Sequence, residues 1–333
     1  MKRLILIALL LGALFAGWAY WSLWSGSGPS GEAKTIIVEQ GASVADVAVQ
    51  LSRQGLIRAG PATYRRLARF LGSPDPIQAG EFEIPAGASG AAILDILQHG
   101  RPVQRLVTIP EGMPSVLVHE RLMTAPFLIG AVAVPEEGSV LPNSYAYRRG
   151  ETRAAVLARM QQAMRDELAR LWSRRTPNAV VTTPQEAVTL ASIVEKETGK
   201  PSERRMVAGV YSNRLRRGMK LDADPTIIYP ITQGRPLGRP IRRSEIDAVN
   251  GYNTYTRVGL PVGPIANPGR ESIAAVLNPA ETQALYFVAD GTGGHVFANT
   301  LEEHNRNHQR WRQIREERMR QQQQQAQPQQ PAR

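Results

Sequence analysis

Leu190–Arg205, LASIVEKETGKPSERR, begins as the apolar stretch of a helix and then carries two acids, Glu195 and Glu197, ahead of a Gly-Lys-Pro break. The residues before it supply a helix start. Thr183 is placed to cap, Pro184 takes the first helical position, and Glu186 completes a T-x-x-E capping box. Gly199 and Pro201 stop the helix at about Thr198. At about 100° per residue, Leu190, Ile193, Val194 and Glu197 share one stripe, and Glu195 points to nearly the opposite side. The expectation is a Glu195 that is solvated or paired with a basic neighbour, and a Glu197 standing where a core residue belongs. Two readings of Glu197 are open. It pairs with an arginine near the helix end, in SERR or at Arg214. Alternatively it is an acid in an apolar cleft wall, where desolvation raises its pKa into the range of a general acid. Periodicity does not choose between them.

The chain around this helix has 333 residues and 42% hydrophobic content, enough for one large domain or two to three smaller ones. Its net charge of +11 suits an anionic partner or a basic, solvated surface. There is no cysteine, which excludes disulfides, zinc-thiolate sites and thiol catalysis. The first residues, MKRLILIALLLGALFAGWAYWSLW, run without charge from Leu4 to Trp24 behind Lys2 and Arg3. A run of about 20 apolar residues spans a bilayer as a helix. The two basic residues hold the N-terminus in the cytoplasm, and Trp18, Tyr20, Trp21 and Trp24 sit where aromatic rings favour the interface. The competing reading, a cleaved signal peptide, needs a shorter apolar run and a small-x-small site. GWA at Gly17–Ala19 meets that pattern poorly, inside the aromatic cluster. The expectation is an uncleaved, single-pass anchor with everything after it outside the cytoplasm, which argues against nucleic-acid function. The anionic polymer just outside a bacterial inner membrane is the cell wall.

Ser25–Lys34 has the composition of a flexible linker. Residues 35–104 predict a small α/β unit. Its parts are a strand at Thr35–Val38, a helix capped by Ser43 with Asp46 in the box, a helix over Pro61–Leu71, and a strand and helix ending at Gly100. Residues 105–315 predict a larger mixed α+β domain. It opens with a strand in RLVTI and a helix over Pro114–Met123, followed by an irregular Pro- and Gly-rich stretch over 125–150. A long amphipathic helix follows at about Glu151–Arg174. After the opening helix come a Ser202-capped helix to Arg217, an extended segment in GMKLDADPTIIYP, and a hairpin around GTGGH. Residues 316–333, rich in Gln, read as a disordered tail.

The loop VNGYNTYTRVGLPVGPIANPG gathers Tyr252, Asn253, Thr254 and Tyr255. These groups suit carbohydrate, through hydrogen bonds and ring faces, or else pin a rigid loop. His304 and His308 are an i, i+4 pair without a third ligand, and no metal-binding spacing is present. No cofactor or metal is expected.

Four segments in fixed order, LASIVEKET, SERRMVAGVYSNRLRRGMKLDADPTIIY, GYNTYTRVGLPVGPIANPG and LYFVADGTGGHVFANTLEEHN, resemble the endolytic murein transglycosylase family, also called MltG or YceG-like. The resemblance runs from about Thr35 to His308. It implies a LysM-like subdomain over 35–104 and a catalytic acid at Glu197, the second Glu of E-K-E-T. It also implies cleavage of the MurNAc-β-1,4-GlcNAc bond to leave a 1,6-anhydro end, with peptidoglycan as partner, the inner membrane as location and wall synthases as associates. Asn213, Asp224, Thr226, Tyr229 and Tyr252–Tyr255 are the candidate sugar-binding residues. One departure is EGSVLPNSYAY, with Asn143 where the family usually has Asp. A hydrolytic muramidase and a non-catalytic wall-binding adaptor are the alternatives.

Overall fold

The computed structural model describes residues 2–326. It is a mixed α+β chain whose described residues divide into two compact units, one of residues 2–106 with 146–151 and one of residues 107–145 with 152–326.

The first unit begins with α1 (Lys2–Tyr20), an apolar helix exposed along its length, continued by a π-turn over Trp21–Ser25. Arg3–Ser25 is long and apolar enough to cross a membrane. Next come β1 (Lys34–Val38), α2 (Val44–Arg53), α3 (Pro61–Leu71), β2 (Gly80–Ile84) and α4 (Gly90–His99). β1 and β2 are antiparallel, with Ile36 opposite Phe82. Both residues are fully buried against Leu51, Tyr64, Ile93 and Leu97 from the three helices. The capping box expected at Ser43 and Asp46 is present. Ser25–Lys34 is not a loose linker. Gly28 N–H donates to Gly87 O, Gly87 N–H to Ser30 O, and Arg58 Nε to Ser27 O. A Gly/Ser composition allows flexibility but does not enforce it once the backbone finds partners.

The second unit is built on helices. Its elements are β3 (Arg105–Ile109, in this unit from Val107), α5 (Ser115–Thr124), β4 (Asn143–Tyr147, in this unit as far as Tyr145), α6 (Arg153–Trp172), α7 (Pro184–Glu197), α8 (Arg204–Arg216), α9 (Pro225–Thr232), α10 (Arg243–Ile246), α11 (Arg270–Leu277), β5 (Tyr286–Ala289), β6 (His295–Ala298) and α12 (Leu301–Ala326). β3 pairs with β4, a strand that the irregular composition of 125–150 conceals. β5 and β6 form the expected hairpin, with Phe287 opposite Phe297. The core joins α7, α8 and α11 through Leu190, Ile193, Val194, Val207, Tyr211, Ile273 and Val276.

Three expectations change in this unit. Ser202 does not cap α8, because Pro201–Glu203 forms a 3₁₀ turn that leads directly into the helix. PTIIYPIT is a helix and not an extended segment. Asp224 and Pro225 start it, and its β-branched residues still permit two turns. The tail expected to be disordered from residue 316 continues α12 to Ala326, since Arg, Glu, Met and Gln all favour helix. Residues 327–333 lie outside the described residues.

Candidate active site

Helix α7 starts as its sequence dictates, with the Thr183 side chain accepting from Glu186 N–H and the Glu186 carboxylate closing the box. Its apolar stripe is fully buried, and Ser192 Oγ accepts from Ile265 N–H at 3.0 Å, tying it to the loop before α11. Glu197 is its last residue and continues that stripe. Its carboxyl group meets a cleft of about 640 Å³. The cleft walls include Tyr211 and Arg214 from α8, Asp222 and Asp224 ahead of α9, Tyr255, Tyr286–Ala289 of β5, and His304, His308 and Trp311 of α12.

The two readings of an acid at the end of α7 are realised by two different residues. The ion pair belongs to Glu195, whose side chain is only 5% exposed and lies 3.2 Å from Arg204. Glu195 Oε2 also accepts from Gly269 N–H at 2.8 Å, while Arg204 reaches Glu111 at 2.7 Å. The pairing of Glu195 with a basic neighbour is present, while its expected exposure to solvent is corrected. The opposite side of α7 is covered by Arg204 and by the start of α11, neighbours that a single-helix projection does not contain. Arg214 is not the partner of Glu197 either. It donates to Leu285 O, Leu221 O and Asp222 Oδ2, and so anchors the hairpin and the 218–224 loop.

Among the described residues, no cation pairs with the carboxyl group of Glu197, and its buried Oε1 has no hydrogen-bond partner. Burial is the largest influence on its acidity, and the charge of Asp224 acts in the same direction. The Tyr211 hydroxyl and the Arg214 charge oppose them, and the result is a pKa pushed up to about 7. Its place at the C-terminal end of a helix adds the negative end of the helix dipole, which also disfavours a carboxylate. Such a group is poised to give and take a proton near neutral pH.

The sequence-derived sugar-binding candidates separate into three groups. Asp224 and Tyr255 line the cleft with Glu197, and the Tyr255 hydroxyl donates to Asp224 Oδ1 at 2.7 Å. Thr226, Asn253 and Thr254 are fully buried. Thr226 Oγ1 and Thr254 Oγ1 lie 2.9 Å apart, and Thr254 accepts from Ala223 N–H. Asn253 Nδ2 donates to Ile246 O and Ala248 O, and its Oδ1 accepts from Tyr255 N–H. These three set the positions of Asp224 and Tyr255 and have no free group to offer a sugar. Asn213 is likewise engaged, donating to Thr282 O and Ala284 O beneath the hairpin. Tyr229 and Tyr252 pack as tilted rings with centroids 4.8 Å apart, and Tyr229 lines another cleft of about 480 Å³ with Met113, Leu117 and Leu237.

The aromatic wall was not legible as a site. Tyr286 stacks on His304 at 5.2 Å, and His308 packs against Trp311 at 5.8 Å. In sequence Tyr286 is a hairpin residue and the two histidines are a helix-surface pair. Their i, i+4 spacing signals a shared face, but what that face covers depends on where α12 docks. Burial, His308 and Arg214 together hold the His304 pKa below its ordinary value. Among the described residues, no group of three or more His, Asp and Glu is placed to hold a metal ion.

An α+β chain with one N-terminal helix long and apolar enough to cross a membrane has counterparts among known proteins. The YceG-like family matches residues 36–310. A Streptococcus pneumoniae protein (serotype 2, strain D39) named endolytic murein transglycosylase is 28% identical, over 91% of this chain and 63% of its own length. A Bacillus subtilis (strain 168) protein of the same name is 35% identical, over 52% of this chain and 47% of its own. The crystal structure of a YceG-like protein from Listeria monocytogenes superposes with a TM-score of 0.51 at 25% identity, covering 83% of this chain and 98% of the other. The chain belongs to the YceG-like family. It spans less than two thirds of the length of these two curated relatives.

Proposed function

We propose that the chain is an endolytic murein transglycosylase, anchored by α1, that cuts glycan strands of peptidoglycan at the MurNAc-β-1,4-GlcNAc bond and leaves a 1,6-anhydro end. The observation that carries this is Glu197, an unpaired carboxyl group with its pKa pushed up to about 7 at the edge of a cleft large enough for sugar rings. The protonated form donates to the leaving oxygen. The resulting carboxylate takes the proton of the sugar's own C6 hydroxyl as that oxygen closes on C1. Both roles fall to one residue because the nucleophile belongs to the substrate, and holding it over C1 replaces a bimolecular attack. Tyr255, Tyr286, His304 and Trp311 offer ring faces and hydrogen-bonding edges to sugars.

Residues 35–104 serve, in this reading, as a LysM-like wall-binding part, consistent with two helices between antiparallel β1 and β2. Lys2 and Arg3 at the start of α1 fit an N-terminus in the cytoplasm and a catalytic unit in the periplasm of a bacterial inner membrane, near the synthases that make the strands.

Asp224 supports a second reading. It is another carboxylate in the same cleft, and hydrolases of glycosidic bonds use two. Mass spectrometry of glycan strands digested by the chain separates the two. Anhydro-muramyl ends that vanish in Glu197→Gln support the transglycosylase, and reducing ends identify a muramidase. An absence of any product sinks both and leaves a wall-binding adaptor.

A further inference from the structure

Helix α3 carries a face that its own unit leaves unused. Its sequence, PATYRRLARFL, contains no acid. Tyr64 and Ala68 enter the core, while Arg65, Arg66 and Arg69 are exposed on the other side. None of the three arginines forms an ion pair among the described residues. Phe70 follows on the same face with 78% of its surface open, more than the 72% of Leu4, the most exposed large apolar side chain of α1. Leu71 is exposed beside it.

The place of this face in the chain suggests what covers it. The turn that ends α1 does not hang free. Trp24 is buried in the core of the unit, and its ring lies 5.7 Å from that of Tyr64, the residue preceding Arg65. The Tyr64 hydroxyl donates to Gly90 O, and a side chain at Gly90 would press on Leu23 O and the Trp24 ring. Thus α3 packs directly on the end of the apolar helix. Exposed arginines beside an exposed aromatic ring match an anionic headgroup layer over an acyl boundary.

We propose that the Arg65, Arg66, Arg69 and Phe70 face of α3 docks on the anionic lipid surface of the membrane that α1 crosses. The proposal rests on the membrane reading of α1. A helix this short would bind vesicles weakly by itself, but the covalent connection to α1 makes the contact intramolecular. Each arginine near an anionic surface favours the docked state about fivefold, so removing all three lowers it roughly 100-fold. Docking of this kind would hold residues 34–100 against the bilayer.

The chain has no cysteine, so Phe70→Cys gives the full protein a single thiol for a polarity-sensitive fluorophore. The labelled chain is incorporated into lipid nanodiscs containing either phosphatidylglycerol or only phosphatidylcholine. A blue-shifted emission in the anionic discs supports docking when it reverses in about 1 M salt, where the Debye length is about 3 Å. The shift must also be lost on Arg65→Ala/Arg66→Ala/Arg69→Ala, exposed substitutions that leave the core intact. Equal emission in the two lipids overturns the proposal, as does a shift that survives loss of the arginines. A shift produced in phosphatidylcholine discs only by an added soluble anionic glycan also overturns it, and assigns the face to a wall polymer. A chain that does not enter discs at all overturns the membrane reading, and docking with it.

Discussion

Replacing Glu197 by Gln removes one proton equilibrium from the folded chain and should make the protein inactive and more stable. In the fold, burial lifts this carboxyl group from the ordinary 4.5 to about 7. On unfolding it returns to its ordinary value. Between those two pH values the folded state binds more protons than the unfolded state, so stability falls as pH rises. A rise from 4.5 to about 7 is worth about 3 kcal/mol at ~1.4 kcal/mol per pKa unit. The loss is complete above about pH 8 and absent below about pH 4. Glutamine keeps the shape of the side chain and cannot ionise, so it avoids the loss. At about 2–4 °C per kcal/mol for a domain of this size, Glu197→Gln melts roughly 6–12 °C above the wild type at alkaline pH. At pH 4 the two melt together. Thermal unfolding of both full-length proteins in detergent across this pH range is the assay. Parallel melting curves at every pH would refute the argument, because they mean that Glu197 titrates like a solvated carboxylate.

Asp224→Asn removes a charge that raises the Glu197 pKa, so the alkaline limb of the kcat/KM profile should move to lower pH. Tyr255→Phe removes the hydrogen bond to Asp224 and keeps that charge, so its limb should stay close to the wild-type position; equal shifts in both variants would contradict this. Arg204→Ala leaves the Glu195 carboxylate buried without its cation and should cost about 3–5 kcal/mol in urea unfolding. Asn253→Ala strands the carbonyls of Ile246 and Ala248 and should cost about 1–3 kcal/mol, with weaker substrate binding as Tyr255 loses its backbone anchor.

Local signals carried much of the fold. Thr183, Pro184 and Glu186 define the start of α7, and Ser43 with Asp46 defines α2, because caps are settled within four residues. The hairpin at GTGGH is legible for the same reason. What escaped is what depends on distant partners. β4 exists because β3 is there to pair with it. The wall formed by Tyr286, His304 and Trp311 exists because α12 returns to the cleft. The loop residues Thr226, Asn253 and Thr254 have the chemistry of sugar ligands, yet their hydrogen bonds are spent inside the protein. Composition shows what a side chain can bond to, and the fold decides what it does bond to.

Glu195 and Glu197, two residues apart, show how that decision shapes the candidate site. Glu195 is fixed by Arg204 and by Gly269 N–H, and Arg204 in turn holds Glu111. These bonds join α7 to the starts of α8 and α11 immediately beside its last turn. Helix ends fray when nothing holds them. A carboxyl group on a fraying end would reach water, and its pKa would fall back toward 4.5. The paired acid thus keeps the unpaired one desolvated. If so, Arg204→Ala acts on the chemistry as well as on stability. In conditions where the variant is still folded, the alkaline limb of its pH profile should lie below that of the wild type, with the affinity for glycan strands little changed. A variant that lost stability and kept the wild-type pH profile would show that the end of α7 holds its place without the Glu195 pair.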